Sequence, residues 1–252
     1  MALGKGKIER YARIYVGGYD LSGDARTFSN LENGFDEVEF TGWSDAVKQY
    51  VEGYRSVGVR GFQALMNDDT GGSLDILKDA DVDAALSVCF GSNAVPAAGN
   101  TSYLIDSIQI SAGATFDSGA GVLQADFLID AAGASNGTNP LGYVLIPSTS
   151  VSSTGNGASV DTESGTTTTG YSANLHILAT SSGNFAFKIQ DSSNNSDWAD
   201  LQSFSIDGSA IASEHISSAS TSCDRYLRFV RTRTGGSCTV VCTFARNNYV
   251  TT

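Results

Sequence analysis

"VLQADFLID", Val122 to Asp130, sets Leu123, Ala125, Phe127 and Ile129 on one side of an extended chain, with Gln124, Asp126 and Asp130 on the other. Side chains of a strand alternate between faces, so this is the period of a half-buried β-strand and not of a helix. The same period recurs outward in both directions. "RIYV", "EVEF" with Val38 and Phe40 opposite Glu37 and Glu39, and "FAFKIQ" with Phe185, Phe187 and Ile189 on one side all repeat it. About a dozen such segments predict a mainly β protein. Three prolines and 28 glycines among many Ser, Thr and Asn suit turn-rich β structure.

Two segments depart from that period. "SDAVKQYV" predicts a helix near 44–52: Ser44 caps, Asp45 lies in the first turn, and Ala46, Val47, Tyr50 and Val51 share a face until Gly53. A second helical pattern runs from Ser73 through "LDILKDADVDAAL". Small and polar residues at 131–142 separate two strand-rich parts, so the expected domains are 1–139 and 140–252. Residues 1–139 carry 9 Lys+Arg and 19 Asp+Glu (net -10) and residues 140–252 carry 6 and 8 (net -2), which together make the chain's -12.

With 252 residues and 41% hydrophobic composition the chain has material for one large or two medium cores. "MALGKGKIERYARIYVGG" has no apolar stretch of signal-peptide length, and no run of about 18 apolar residues occurs, so a protein made in a cytoplasm, with no membrane partner, is expected. The acidic balance speaks against a sequence-independent grip on DNA, which rests on cations displacing counterions. The four cysteines read as buried, reduced thiols: Cys238 and Cys242 share a strand face roughly 13 Å apart, too far for a disulfide.

The motifs that carry chemistry fail in their details. "GASNG" (133–137) matches a nucleophile elbow, yet Pro140 and a strand follow where a helix is needed. "DADVD" (79–83) has acids at the first, third and fifth places of a calcium loop, but Ala84 and Phe90 stand where glycine and glutamate are required. His176 and His215 are the two histidines, neither with a spaced metal partner, and His176 points away from the Leu175/Ile177 face. No catalytic residue, metal ligand or cofactor is therefore expected. Trp198 in "NNSDWADLQSF" reads as a core anchor, or as a stacking platform for a sugar.

"DRYLRFVRTR" (224–233) puts four arginines in ten residues, with Leu227 and Phe229 on one face, Tyr226 and Val230 on the other, and "TGGS" (234–237) reading as a hairpin turn beyond. Lys188 and Arg246 are the other cations of that part, too few for a nucleic-acid surface. Structural or subunit-interface use of Arg225, Arg228, Arg231 and Arg233 is the expectation.

Taken together, "ARIYVGGYDLSGDA", "FTGWSDAVKQYVEGYRSVGVRGFQAL", "GYSANLHI", "FKIQDSSNNSDWADLQSF", "DRYLRFVRTR" and "CTFAR", in that order, resemble the major tail tube proteins of long, non-contractile-tailed bacteriophages. The resemblance implies a tail-tube-type β-sandwich or barrel with a flanking helix, followed by a second β-sandwich. It implies a structural, non-enzymatic virion protein whose partner is itself: a hexameric ring, or a trimer if both parts are tube-like. Such rings stack around a tape-measure protein, meet terminator and tip proteins, and pass DNA through the lumen without stable binding. Lys5, Lys7 and Arg10 of the first ten residues, with the four arginines, are the expected subunit contacts. An acidic lumen suits sliding DNA, which carries one negative charge per about 1.7 Å. The alternative is a carbohydrate-binding or adhesin-like β-sandwich.

Overall fold

A computed structural model describes residues 11–27, 29–43, 46–78, 83–91, 95–117, 122–131 and 139–247. The chain is mainly β, with 64% strand and 3% helix. Its elements in order are β1 (Ala12–Val16), β2 (Tyr19–Asp20), β3 (Ala25–Thr27), β4 (Asn30–Glu39), β5 (Tyr50–Leu65), α1 (Ser73–Leu77), β6 (Asp83–Phe90), β7 (Thr101–Asp117) and β8 (Val122–Ala131). There follow β9 (Leu141–Val151), β10 (Gly155–Asn156), β11 (Val160–Asp161), β12 (Tyr171–Ser192), β13 (Ala199–Ser203), β14 (Ala212–Ser218) and β15 (Tyr226–Arg246). Their hydrogen bonds form one antiparallel network with the main path β13-β12-β15-β9-β7-β6-β1-β2, while β8 joins β7 to β5, and β5 carries β3 and β4.

Alternation builds two cores. Ala125, Phe127 and Ile129 of β8 meet Val59 and Phe62 of β5, Leu86 and Val88 of β6, and Tyr103 and Ile105 of β7. Leu123, at the start of the same alternating row, lies beyond that core and is half exposed. The second core gathers Leu175, Ile177, Phe187 and Ile189 of β12 with Leu227, Phe229, Val240, Cys242 and Phe244 of β15. Phe187 stacks on Phe185 and Phe229 at centroid distances of 5.5 and 5.6 Å, contacts that add about 0.5–1.5 kcal/mol each beyond area burial. All four cysteines are free and buried, and Cys238 and Cys242 face the same core.

Residues 240–246 are buried on both faces. Their second face packs on β1 and β6, where Tyr15, Cys89, Val144 and Val241 form a small apolar cluster. Around it lies a buried polar seam. Asn174 Nδ2 donates to the carbonyls of Leu86 (2.8 Å) and Ile105 (3.0 Å), and His176 Nε2 and Thr243 Oγ1 both reach Ser87 Oγ, at 2.9 and 3.0 Å. His176 does point away from the Leu175/Ile177 face, into this seam and not into water. The β7–β9 ladder, Thr101↔Tyr143 to Tyr103↔Leu141, also crosses the expected boundary at 139/140.

Three expectations are corrected. No helix forms near 44–52 among the described residues. Phe40 N donates to Gln49 O (3.1 Å), Gln49 N to Thr41 Oγ1 (2.9 Å), and Val51 pairs with Val38, so the segment closes the β4–β5 hairpin. The helix starting at Ser73 lasts five residues, and Asp83 to Phe90 is strand, because its apolar residues pair across β1 and β7. Finally, "TGGS" does not reverse the chain: β15 runs straight through, antiparallel to β12 for its whole length. Its glycines serve a bulge, with Gly236 at φ +59 opposite Ser182 at φ +51. "GASNG" and most of "DADVD" lie outside the described residues.

Candidate functional site

The β4–β5 hairpin is the outstanding surface. Residues 58–65 of β5 are backed by β8, but the distal pairs, from Phe35↔Arg55 to Glu39↔Tyr50, have no third strand among the described residues. A two-stranded ribbon is at best marginal in water by itself. This one is also apolar. Phe35, Val38, Phe40, Trp43, Val47, Tyr50 and Val51 are all exposed, seven of the twelve large exposed hydrophobics among the described residues, and Trp43 is wholly exposed. An apolar concentration on an unbacked ribbon marks a surface that another body covers.

Local chemistry fixes the ribbon's base and tip. Tyr103 OH, buried in the first core, accepts from Gly58 N (3.0 Å) and donates to Glu32 O (2.7 Å), which ties β7 to both strands. Burial raises its pKa. Arg60 bridges Glu32 (2.6 Å) and Asp130, and its hydrogen bond to Glu32 pulls that carboxyl below its usual range. At the tip Lys48 meets Glu39 at 2.9 Å. Glu37 and Glu39 leave the ribbon acidic as well as apolar.

The arginines of β15 are not a common patch. Arg225 forks onto Asp161 with two 2.8 Å bonds, and that contact lowers the carboxyl's pKa. Arg228 donates to Gln190 Oε1 (2.9 and 2.6 Å) and lies 4.2 Å over the ring of Trp198. Arg231 Nε donates to Ser153 O (3.2 Å) and Arg233 Nε to Gly236 O (2.8 Å). Carbonyls do not cancel charge, so Arg231 and Arg233 present their cations to solvent, whereas Arg225 is neutralised within the chain. Lys5, Lys7 and Arg10 lie outside the described residues. Trp198 belongs to neither core; it is half-buried, with Arg228 occupying one ring face. Lys188 and Gln190 converge beside it on Asp200, at 2.8 and 2.6 Å.

Sequence reasoning missed the ribbon because alternation reports an apolar face without saying what covers it. The signal was present in "EVEFTGW", whose apolar face continues into an aromatic-rich connection. No helix among the described residues is long and apolar enough to cross a membrane. No protein-family model matches the sequence, and no curated protein matches it.

Proposed function

We propose that the protein is a structural subunit that assembles with copies of itself, of the kind that builds the tail tube of a long-tailed phage. The observation that carries the reading is the unbacked, apolar β4–β5 ribbon, which needs a covering surface that the described chain does not supply. A neighbouring copy supplies it in a ring or between stacked rings, six copies to a ring, or three if both parts of the chain are tube-like. In this reading the cations of Arg231 and Arg233, which no carboxylate of the described chain neutralises, meet the acidic ribbon of a neighbour. In this reading the protein resides in the virion tail, around a tape-measure protein and capped by terminator and tip proteins. Its acidic N-terminal part, net -10, lines a lumen that DNA crosses without adhering.

The test is negative-stain electron microscopy with light scattering over a concentration series, on the wild type and on Trp43→Ser/Val47→Ser. Wild-type rings or tubes with a channel of roughly 20 Å or more, wide enough for a duplex, are expected. The double variant should stay monomeric while its unfolding free energy stays within about 0.5 kcal/mol of wild type, since both side chains are exposed. Equal assembly by the variant would overturn the role of the ribbon. Under the glycan-binding alternative, Trp198 has the ring face opposite Arg228 to offer a sugar.

A further inference from the structure

We infer that a cleft where β7, β9 and the end of β15 meet is a binding site for a compact oxyanion, of carboxylate or phosphate size, with Arg246 as its cation. Arg246 closes β15 and is 6% exposed. Its guanidinium is held by backbone carbonyls alone: Nη1 donates to Gly165 O (2.7 Å) and Nη2 to Asp224 O, while Nε is buried without a partner. Among the described residues no carboxylate comes within ion-pair distance of it. Two feel its charge without touching it: Asp161, which pairs with Arg225, and Asp191, which accepts from the Asp224 amide at 2.8 Å. A guanidinium held only by two carbonyls keeps N–H groups to spare, and its planar fork is shaped to receive an oxyanion.

Space and donors lie beside it. The cleft, about 230 Å³, is lined by Arg246, Thr101, Leu141, Gly142, Tyr143 and Ser164 among others, and is many times the ~10–15 Å³ that one water needs. Gly142 is required by the close approach of β9 to β15, for a Cβ there would sit 2.0 Å from Phe244 O. Thr101 and Ser164 bring exposed hydroxyls to the rim. The field of a -12 chain repels anions, so saturable binding has to come from a local feature such as this one.

The test is thermal unfolding of the full chain at fixed ionic strength with phosphate, acetate or chloride, beside an NMR titration of the Arg246 Nε–H signal with phosphate. Phosphate or acetate should raise the midpoint saturably where chloride does not, and the Nε–H signal should shift along the same isotherm. Thr101→Val/Ser164→Ala should keep the wild-type midpoint in chloride and weaken the oxyanion's apparent affinity by about tenfold, the loss expected for hydrogen bonds to a charged group. Arg246→Lys should abolish the effect if it folds; the rim variant decides if it does not. Equal shifts with chloride, or an undiminished response in the rim variant, would overturn the site.

Discussion

His176 is held neutral by its surroundings. Burial against β1 and β6 lowers its pKa from the ordinary 6.5 to about 3, and partial burial lowers that of His215, whose Nδ1 meets Asn174 Oδ1 at 2.6 Å, to about 4. Because the folded pKa lies below the unfolded one, the unfolded chain takes up the proton first as pH falls. The stability that neutral His176 contributes is complete above about pH 6.5 and drains away toward pH 3, at up to about 1.4 kcal/mol per pH unit. His176→Asn can keep a bond to Ser87 and cannot titrate, so urea unfolding between pH 6.5 and 4 should show a slope shallower by that amount. Identical slopes would mean the seam opens locally before the chain unfolds. Gly236 is decided by geometry instead. At φ +59, with a Cβ placed 1.9 Å from Ser182 O, Gly236→Ala should cost at least about 2 kcal/mol in the same unfolding measurement. A neutral result would show that the β12–β15 bulge relaxes freely.

At the scale of elements, alternation made the strands legible and left their partners unread. The row Ala125, Phe127, Ile129 was visible in nine letters, as was the shared face of Cys238 and Cys242, since period 2 is local. The helix near 44–52 failed because Ala46, Val47, Tyr50 and Val51 satisfy helical spacing while Tyr50 and Val51 equally satisfy a strand; the tie was broken across the hairpin, by Val38 and the Gln49 amide. "TGGS" failed because positive φ serves a bulge as well as a turn. The seam was unreadable, since Ser87, Asn174 and Thr243 are neutral polar residues that only the tertiary fold makes partners. The division of the arginine-rich strand into neutralised and open cations was likewise unreadable, because it depends on Asp161 and Ser153, distant in sequence. That division gives an element-scale prediction. Arg231→Glu/Arg233→Glu should lower the association constant at least about tenfold, and Glu37→Lys/Glu39→Lys on the same chain should restore it, as judged by sedimentation. Failure of the second pair to rescue would assign the arginines a different neighbour.

For the whole molecule, apolar attraction and net charge pull in opposite directions. Each copy carries -12, so a ring of six would carry 6 × -12 = -72, most of it from residues 1–139. Self-repulsion of that kind reaches about 30 Å at 0.01 M salt and about 8 Å at 0.15 M. Burial of the ribbon does not depend on screening, whereas contacts between Arg231 or Arg233 and acidic residues weaken with salt. The many like charges outnumber the few exposed cations, so net repulsion governs. Raising sodium chloride from 0.01 to 0.3 M should therefore promote assembly, moving the light-scattering midpoint to lower protein concentration. Sulfate at equal ionic strength should promote it further, because it strengthens apolar burial. Assembly that dissolved as salt rose would reverse this ranking: the arginine pairs would then outweigh both the ribbon and the net charge, and Trp43→Ser/Val47→Ser would be expected to assemble nearly as well as wild type.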